Sequence, residues 1–386
     1  GKGLMELIKG MVAVHALKQS TLGGSNMSPR GTGGTSNHEP PLSEPNSMGG
    51  GSSVGSAMNM PHTPPLSNSG SNVVDREHPL HDACTVGNIA KVRQCVEADK
   101  RDVNEVGVPP QRWCPLHCAA VCGRADIAKY LLEQGAYASA QDGDGWTPLH
   151  LSASNGQKEV ATLLLEWKAN VSLKDNDGFT ALHEAARTNR LDVVLLLLDA
   201  KANVNVTDVH GAELWALHKT PAVFSHAMKW GRTPLHWAAA NGHIEVVERL
   251  FEAKASLGAL DGCGDTPLHL ASLHGKQRVV ELLIRRGADA SVVNSHESTP
   301  LHLAALNGHT DTCVLLHAHH EDAINAKDRS KHTPLHRAVL REQTRTALLL
   351  LSNGADPHAP GPIGYTPLHY AARLDLVEVV EQMVDA

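Results

Sequence analysis

Twenty-five histidines stand in a chain of 386 residues that has only six Trp, four Tyr and three Phe. Imidazole is the commonest metal ligand and the one side chain whose unperturbed pKa lies near neutrality, so metal binding and acid-base chemistry are the first readings to weigh. The densest cluster is His317, His319 and His320 with Glu321 and Asp322. Two or three of these could take up an ion, but a working site needs fixed geometry and outer partners that the spacing does not supply. Cys114, Cys118 and Cys122 recur every four residues beside His117. On a helix that places Cys118 and Cys122 on one face with Cys114 at its start, and small buried thiols are the expected result. His183-Glu184 opens like a zinc-protease motif, yet Arg187 stands where the second His belongs. There is no Gly-rich phosphate loop ending in Gly-Lys-Ser/Thr, and no Gly-x-Ser-x-Gly elbow in a strand-to-helix context. The chain is therefore expected to hold no catalytic residue, no metal and no cofactor.

Nine of the histidines share one context. His81, His117, His150, His183, His236, His269, His302, His336 and His369 each end a Thr-Pro-Leu-His tetrapeptide or a near variant of it. The Leu of that motif falls at 80, 116, 149, 182, 235, 268, 301, 335 and 368, giving steps of 36, 33, 33, 53, 33, 33, 34 and 33. A period this regular predicts an all-helical solenoid over residues 78–386. Thr suits a helix N-cap and Pro the first helical position, so each tetrapeptide starts a helix. Small residues such as Ala185-Ala186 and Ala304-Ala305 let neighbouring helices approach. Gly87, Gly123, Gly156, Gly242, Gly275 and Gly308 end that helix, with Asn189 in the fourth unit and Glu342 and Asp375 in the last two. A second, aliphatic helix follows, for example Val193 to Leu198, and an Asp/Asn/Gly-rich segment such as Asp142 to Gly145 turns to the next unit.

These nine matches in register resemble the ankyrin-repeat family. The resemblance implies pairs of antiparallel helices joined by hairpin turns, a motif imidazole that bonds around the helix start and to the adjacent unit, and partner binding along a concave face of hairpin tips and first helices. Some positions depart from the pattern. Asp99, Lys168, Lys201, Lys254 and His320 occupy the place of the Gly that closes the second helix, where a left-handed conformation costs a side chain on the order of 1 kcal/mol. Ala386 falls inside a repeat, and Val377, Val379, Val380, Met383 and Val384 keep the last helix apolar, so the chain reads as truncated at its C-terminus.

The rest of the chain is composed differently. Of the 55 residues from Ser20 to Val74, 35 are Ser, Gly, Pro or Asn, and no aromatic precedes Trp113. Such a stretch buries too little apolar surface to offset the entropy of ordering, so residues 20–77 read as a disordered linker. Residues 1–19 form one short amphipathic helix at most, with Leu4, Leu7, Ile8, Met11, Val14 and Leu17 on its apolar side. Ser28-Pro29 and Thr63-Pro64 read as solvated linker sites. The net charge of −7 argues against nucleic acid as a partner. Apolar runs stop at about six residues, so no membrane insertion is expected. Seven Cys at irregular spacing make no disulfide framework, which points to a reducing, cytoplasmic setting.

What remains is surface recognition. The residue before the motif Thr lies on the hairpin, and it is aromatic in four repeats as Trp113, Trp146, Phe179 and Tyr365. Trp113, Trp146 and Phe179 fall on successive hairpins about 10 Å apart, a spacing suited to a ridge that anchors a partner. The neighbouring tips carry Asp144, Asn176 and Asp177, which would make that groove acidic and fit a basic and apolar protein or peptide. Subtracting 33 from the step of 53 leaves 20 additional residues near 212–231, with Trp215, Phe224 and Trp230 among them; these either contribute to binding or block it, or are a decayed repeat start, given Trp215-Ala216-Leu217-His218, or a gene-model error. The reading is a non-catalytic protein-interaction module, a scaffold or adaptor. The alternative is the targeting or autoregulatory region of a larger enzyme or channel.

Overall fold

A computed structural model describes residues 78–109, 111–208 and 231–385 of the chain. The proposed N-terminal helix and linker and the insert aromatics Trp215, Phe224 and Trp230 lie outside the described residues. Two compact units emerge.

The first unit holds six helix pairs: α1 (Pro79–Val86) with α2 (Ile89–Arg93), α3 (Pro115–Val121) with α4 (Ala125–Glu133), α5 (Pro148–Asn155) with α6 (Lys158–Glu166), α7 (Ala181–Arg187) with α8 (Leu191–Asp199), α9 (Pro234–Asn241) with α10 (Ile244–Glu252), and α11 (Pro267–Leu273) with α12 (Gln277–Arg285). The second unit has three: α13 (Pro300–Leu306) with α14 (Thr310–His319), α15 (Pro334–Leu340) with α16 (Thr344–Ser352), and α17 (Pro367–Arg373) with α18 (Val377–Asp385). Within each unit first helices pack on first helices and second helices on second helices, as α3 does on α5 and α4 on α6. The core is aliphatic, with Leu116, Leu149, Leu182, Leu235, Leu268, Leu301 and Leu335 almost entirely out of solvent.

Helix α9 packs on α7 as any first helix packs on its predecessor, although 53 residues separate their motif leucines. Asp208 N–H donates to the Arg232 carbonyl and Gly231 N–H to the Asp208 carbonyl, so the tip closes at its base and the additional residues fall between 208 and 231. In α18, Val379, Val380 and Met383 are fully buried while Val377 and Val384 are exposed.

The expected hairpins are turns: among the described residues no strand forms. Each tip is closed by backbone bonds of its own turn, as from Asp142 N–H to the Trp146 carbonyl and from Gly145 N–H to the Asp142 carbonyl. Single bonds then link successive tips, from Gly143 N–H to the Gln111 carbonyl at 2.8 Å and from Asn176 N–H to the Asp144 carbonyl at 3.0 Å. One bond per neighbour is too little for a ladder.

The left-handed positions mostly fall where the repeat requires them. Asn189, Glu342 and Asp375 adopt φ of 60°, 57° and 60° between helices, and Lys168, Lys201 and Lys254 adopt 62°, 63° and 68° at second-helix ends. Two expectations need correction. In the first repeat the helix runs on through a π turn at Gln94–Ala98, so Asp99 keeps φ at −84° and Lys100 takes the left-handed position. His320 has φ −152°, because a 3-10 turn at Glu321–Asn325 follows α14 directly.

Candidate functional site

The motif histidines act as staples. In the fifth helix the Thr147 backbone N–H donates to His150 Nδ1 at 3.2 Å, while the His150 N–H approaches the Thr147 hydroxyl at 3.3 Å. This is a capping box with imidazole in the place usually taken by Glu or Gln. Because Nδ1 accepts, the ring proton resides on Nε2, which donates to the Phe179 carbonyl at 3.0 Å, one repeat away. The same pair of bonds recurs at His117 with Trp146, His183 with Arg232, His236 with Asp265, His302 with His332 and His336 with Tyr365. Each staple therefore fixes the backbone of the residue that precedes the next motif. Burial holds five of these rings neutral: the pKa falls to about 4 at His150, His236, His302 and His336 and to about 3 at His183.

In most tips a buried or half-buried Asp, or in one case Asn294, organises the turn from inside. Asp142 Oδ1 accepts from the N–H groups of Asp144 and Trp146, and Asp175 Oδ1 from those of Asp177 and Phe179. Asp261, Asn294 and Asp328 do the same in their tips. The other carboxylate oxygen is taken by Trp113 Nε1 at Asp142, by Trp237 Nε1 at Asp208, by Arg232 at Asp261 and by Arg337 at Asp328. At Asp175 the residue corresponding to Trp237 or Arg337 is Glu184, a second buried carboxylate that pairs with Arg187 at 2.6 Å. Burial, with Asp177 and Glu184 adding repulsion, raises the Asp175 carboxyl to about 7. Burial also raises Asp208 to about 6, against the opposing effect of its Trp237 bond.

Asp144 is exposed at the tip that precedes the third motif, and Asn176 and Asp177 at the tip that precedes the fourth, where tip-to-tip bonds hold the backbone. The three aromatics behave differently from one another. Trp146 is only 4% exposed and lies against His150. Trp113 is half-buried with its indole N–H bound to Asp142 at 3.0 Å, and Phe179 is half-buried against His183 and Trp237. Trp113 and Phe179 thus lean on the following repeat, and no continuous exposed ridge runs through Trp146. The signal for this was the Asp five residues before Thr147, Thr180, Thr266 and Thr333, which needs a donor close by.

The other chemical candidates resolve into structure. Cys114 and Cys118 are buried, Cys122 is half-buried, and all are free thiols. Burial pushes Cys118 up to about 12, whereas at Cys114 the same penalty is outweighed by the bond to His117 Nδ1 at 3.0 Å, which brings that thiol below its ordinary value. The His317 to Asp322 run does not converge on one point, since α14 ends at His319 and the acids belong to the following 3-10 turn. Among the described residues no helix is long and apolar enough to cross a membrane.

The family description "Ankyrin repeats (3 copies)" matches residues 60–142, 137–208, 214–294 and 278–361, and "Ankyrin repeat" matches residues 363–386. Among curated proteins, Protein phosphatase 1 regulatory subunit 27 of Mus musculus is 38% identical over 79 residues, which cover 19% of this chain and 48% of that protein. The Homo sapiens protein of the same name is 40% identical over 68 residues, covering 17% of this chain and 41% of its own length. The chain therefore spans less than half the length of either relative. With stapled helix pairs recurring in both units and family matches running through most of the sequence, the chain belongs to the ankyrin-repeat family.

Proposed function

We propose that this chain is a non-catalytic protein-interaction module whose contact surface is the row of tips in repeats two to four. Asp144, Asn176 and Asp177 make the contacts, flanked by the exposed edges of Trp113 and Phe179. The observation that carries this reading is rigidity at an exposed place: the same backbone that displays these side chains is bonded to half-buried Asp142 and buried Asp175 and to the adjacent tip. A surface fixed before binding loses little conformational entropy in the complex. Relatives named as regulatory subunits of a phosphatase support action through another protein. The tip carboxylates favour a partner segment with basic and apolar residues.

Affinity capture with the full chain tests this, comparing it with Asp144→Lys/Asp177→Lys and with Trp113→Ala/Phe179→Ala. Charge reversal is expected to weaken the captured partner about tenfold or more and to reverse the salt dependence of its association. Unaltered partners and affinities in both double variants would overturn the proposal.

A further inference from the structure

The first repeat breaks the staple, and the break exposes ligands. Seven other repeats place Thr at the N-cap, but here that residue is His78, with φ −127° and ψ 60° in place of the extended backbone of the Thr caps, and no side-chain cap bond forms. His81 keeps the outer half of the staple: Nε2 lies 2.8 Å from the Trp113 carbonyl and must donate to it. That bond puts the lone pair on Nδ1, which no longer has a cap N–H or hydroxyl to receive. His81 Nδ1 instead faces Glu105 Oε1 at 3.4 Å, and His78 Nδ1 completes a set in which all three atoms lie within 4.8 Å of one another. All three are buried and lack a hydrogen-bond partner.

We propose that His78, His81 and Glu105 form a binding site for one divalent cation of the zinc class. Two ligands at 2.0–2.1 Å from a tetrahedral ion stand about 3.4 Å apart, the separation found between His81 and Glu105. Two imidazoles and one carboxylate suit zinc better than the hard cations calcium and magnesium. The outer shell is in place as well. The Trp113 carbonyl fixes the tautomer and ring of His81, and Arg101 lies 3.6 Å from the other oxygen of Glu105, turning Oε1 inward. His78 and Glu105 are only half-buried, which leaves a route for entry. The contrasting group at Asp261, Cys263 and Asp265 also clusters ligand atoms, but there Asp261 already accepts from two backbone N–H groups and from Arg232, so no lone pair is orphaned.

The test is zinc titration of the full chain by calorimetry, with thermal unfolding in parallel and cobalt as the spectroscopic probe. The variants are His78→Thr, Glu105→Gln and, as a control, His319→Ala/His320→Ala. The wild-type chain is expected to bind about one equivalent with proton release and to gain thermal stability from zinc. His78→Thr and Glu105→Gln should each weaken binding tenfold or more and abolish the tetrahedral cobalt band, while the control retains both. His78→Thr restores the cap used elsewhere, so its metal-free stability should equal or exceed that of the wild type. Absence of zinc binding by the wild type, or equal binding by wild type and both ligand variants, overturns the site.

Discussion

At the scale of single residues, the recurring tension is between burial and charge. Asp175 is needed because its Oδ1 gathers two tip N–H groups, yet the same burial, with Asp177 and Glu184 nearby, penalises its ionised form. Asn294 shows that an amide does the same work, accepting from His296 and Ser298 N–H at 2.9 and 3.0 Å. Asp175→Asn should therefore stabilise the chain at pH 7.5, by about 2 kcal/mol. The sign follows from linkage: a carboxyl raised from 3.8 to about 7 is charged in the unfolded chain long before it is charged in the fold. The penalty is complete above about pH 7 and absent below about pH 4, so the gain should fade across that window. Denaturant unfolding of both proteins at pH 7.5 and 4.5 checks it, and an equal difference at the two values would refute the assignment.

At the scale of elements, helix ends decide how tightly the repeats are built. Lys168, Lys201 and Lys254 hold φ between 62° and 68° at positions where other repeats use Gly135, Gly287 and Gly354. The left-handed conformation costs a side chain about 1–2 kcal/mol, and Gly gives back about half of that in unfolded-state entropy. Replacing each Lys by Gly is expected to raise stability by about 0.5–1 kcal/mol, nearly additively, because the sites lie one repeat apart. An increase in denaturation midpoint with unchanged slope would show this. Gly145 is the opposite case. A Cβ there would lie 2.9 Å from the Asn176 backbone nitrogen and 3.1 Å from the Asp175 Cα, so neighbouring tips approach this closely only through glycine.

At the scale of the molecule, the staples set the response to acid. His150, His183 and His236 in the first unit and His302 and His336 in the second are held neutral by burial, with pKa values of about 3 to 4 against 6.5 when unfolded. A group whose folded pKa is lowered in this way lends its full stability above about pH 6.5 and loses it progressively toward pH 4, because only the unfolded chain takes up the proton. Asp175 and Asp208 act in the other direction, since they bind protons in the fold as the pH falls. Five imidazoles outweigh two carboxyls below about pH 6. The melting temperature is thus expected to change little between pH 7.5 and 6.5 and to fall steeply from 6 to 4.5. A melting temperature that holds or rises through pH 5 would show that the staples do not carry this weight.

Sequence alone determined the repeat and its helix pairs, because period, N-cap chemistry and the Thr-Pro-Leu-His spacing are local properties of the chain. It also placed Asp144, Asn176 and Asp177 at tips, since a turn rich in Asp, Asn and Gly exposes them whatever lies around it. Only the tertiary structure decided which tip residues face inward. Trp146 and Asp175 occupy the same short segments as their exposed neighbours, and their burial depends on the next repeat lying against them. The His78, His81 and Glu105 cluster was hidden for the same reason: 24 residues separate His81 from Glu105. That His81 lacks its capping Thr is legible from His78 in that place, but that Glu105 lies opposite the freed Nδ1 is a relation in space.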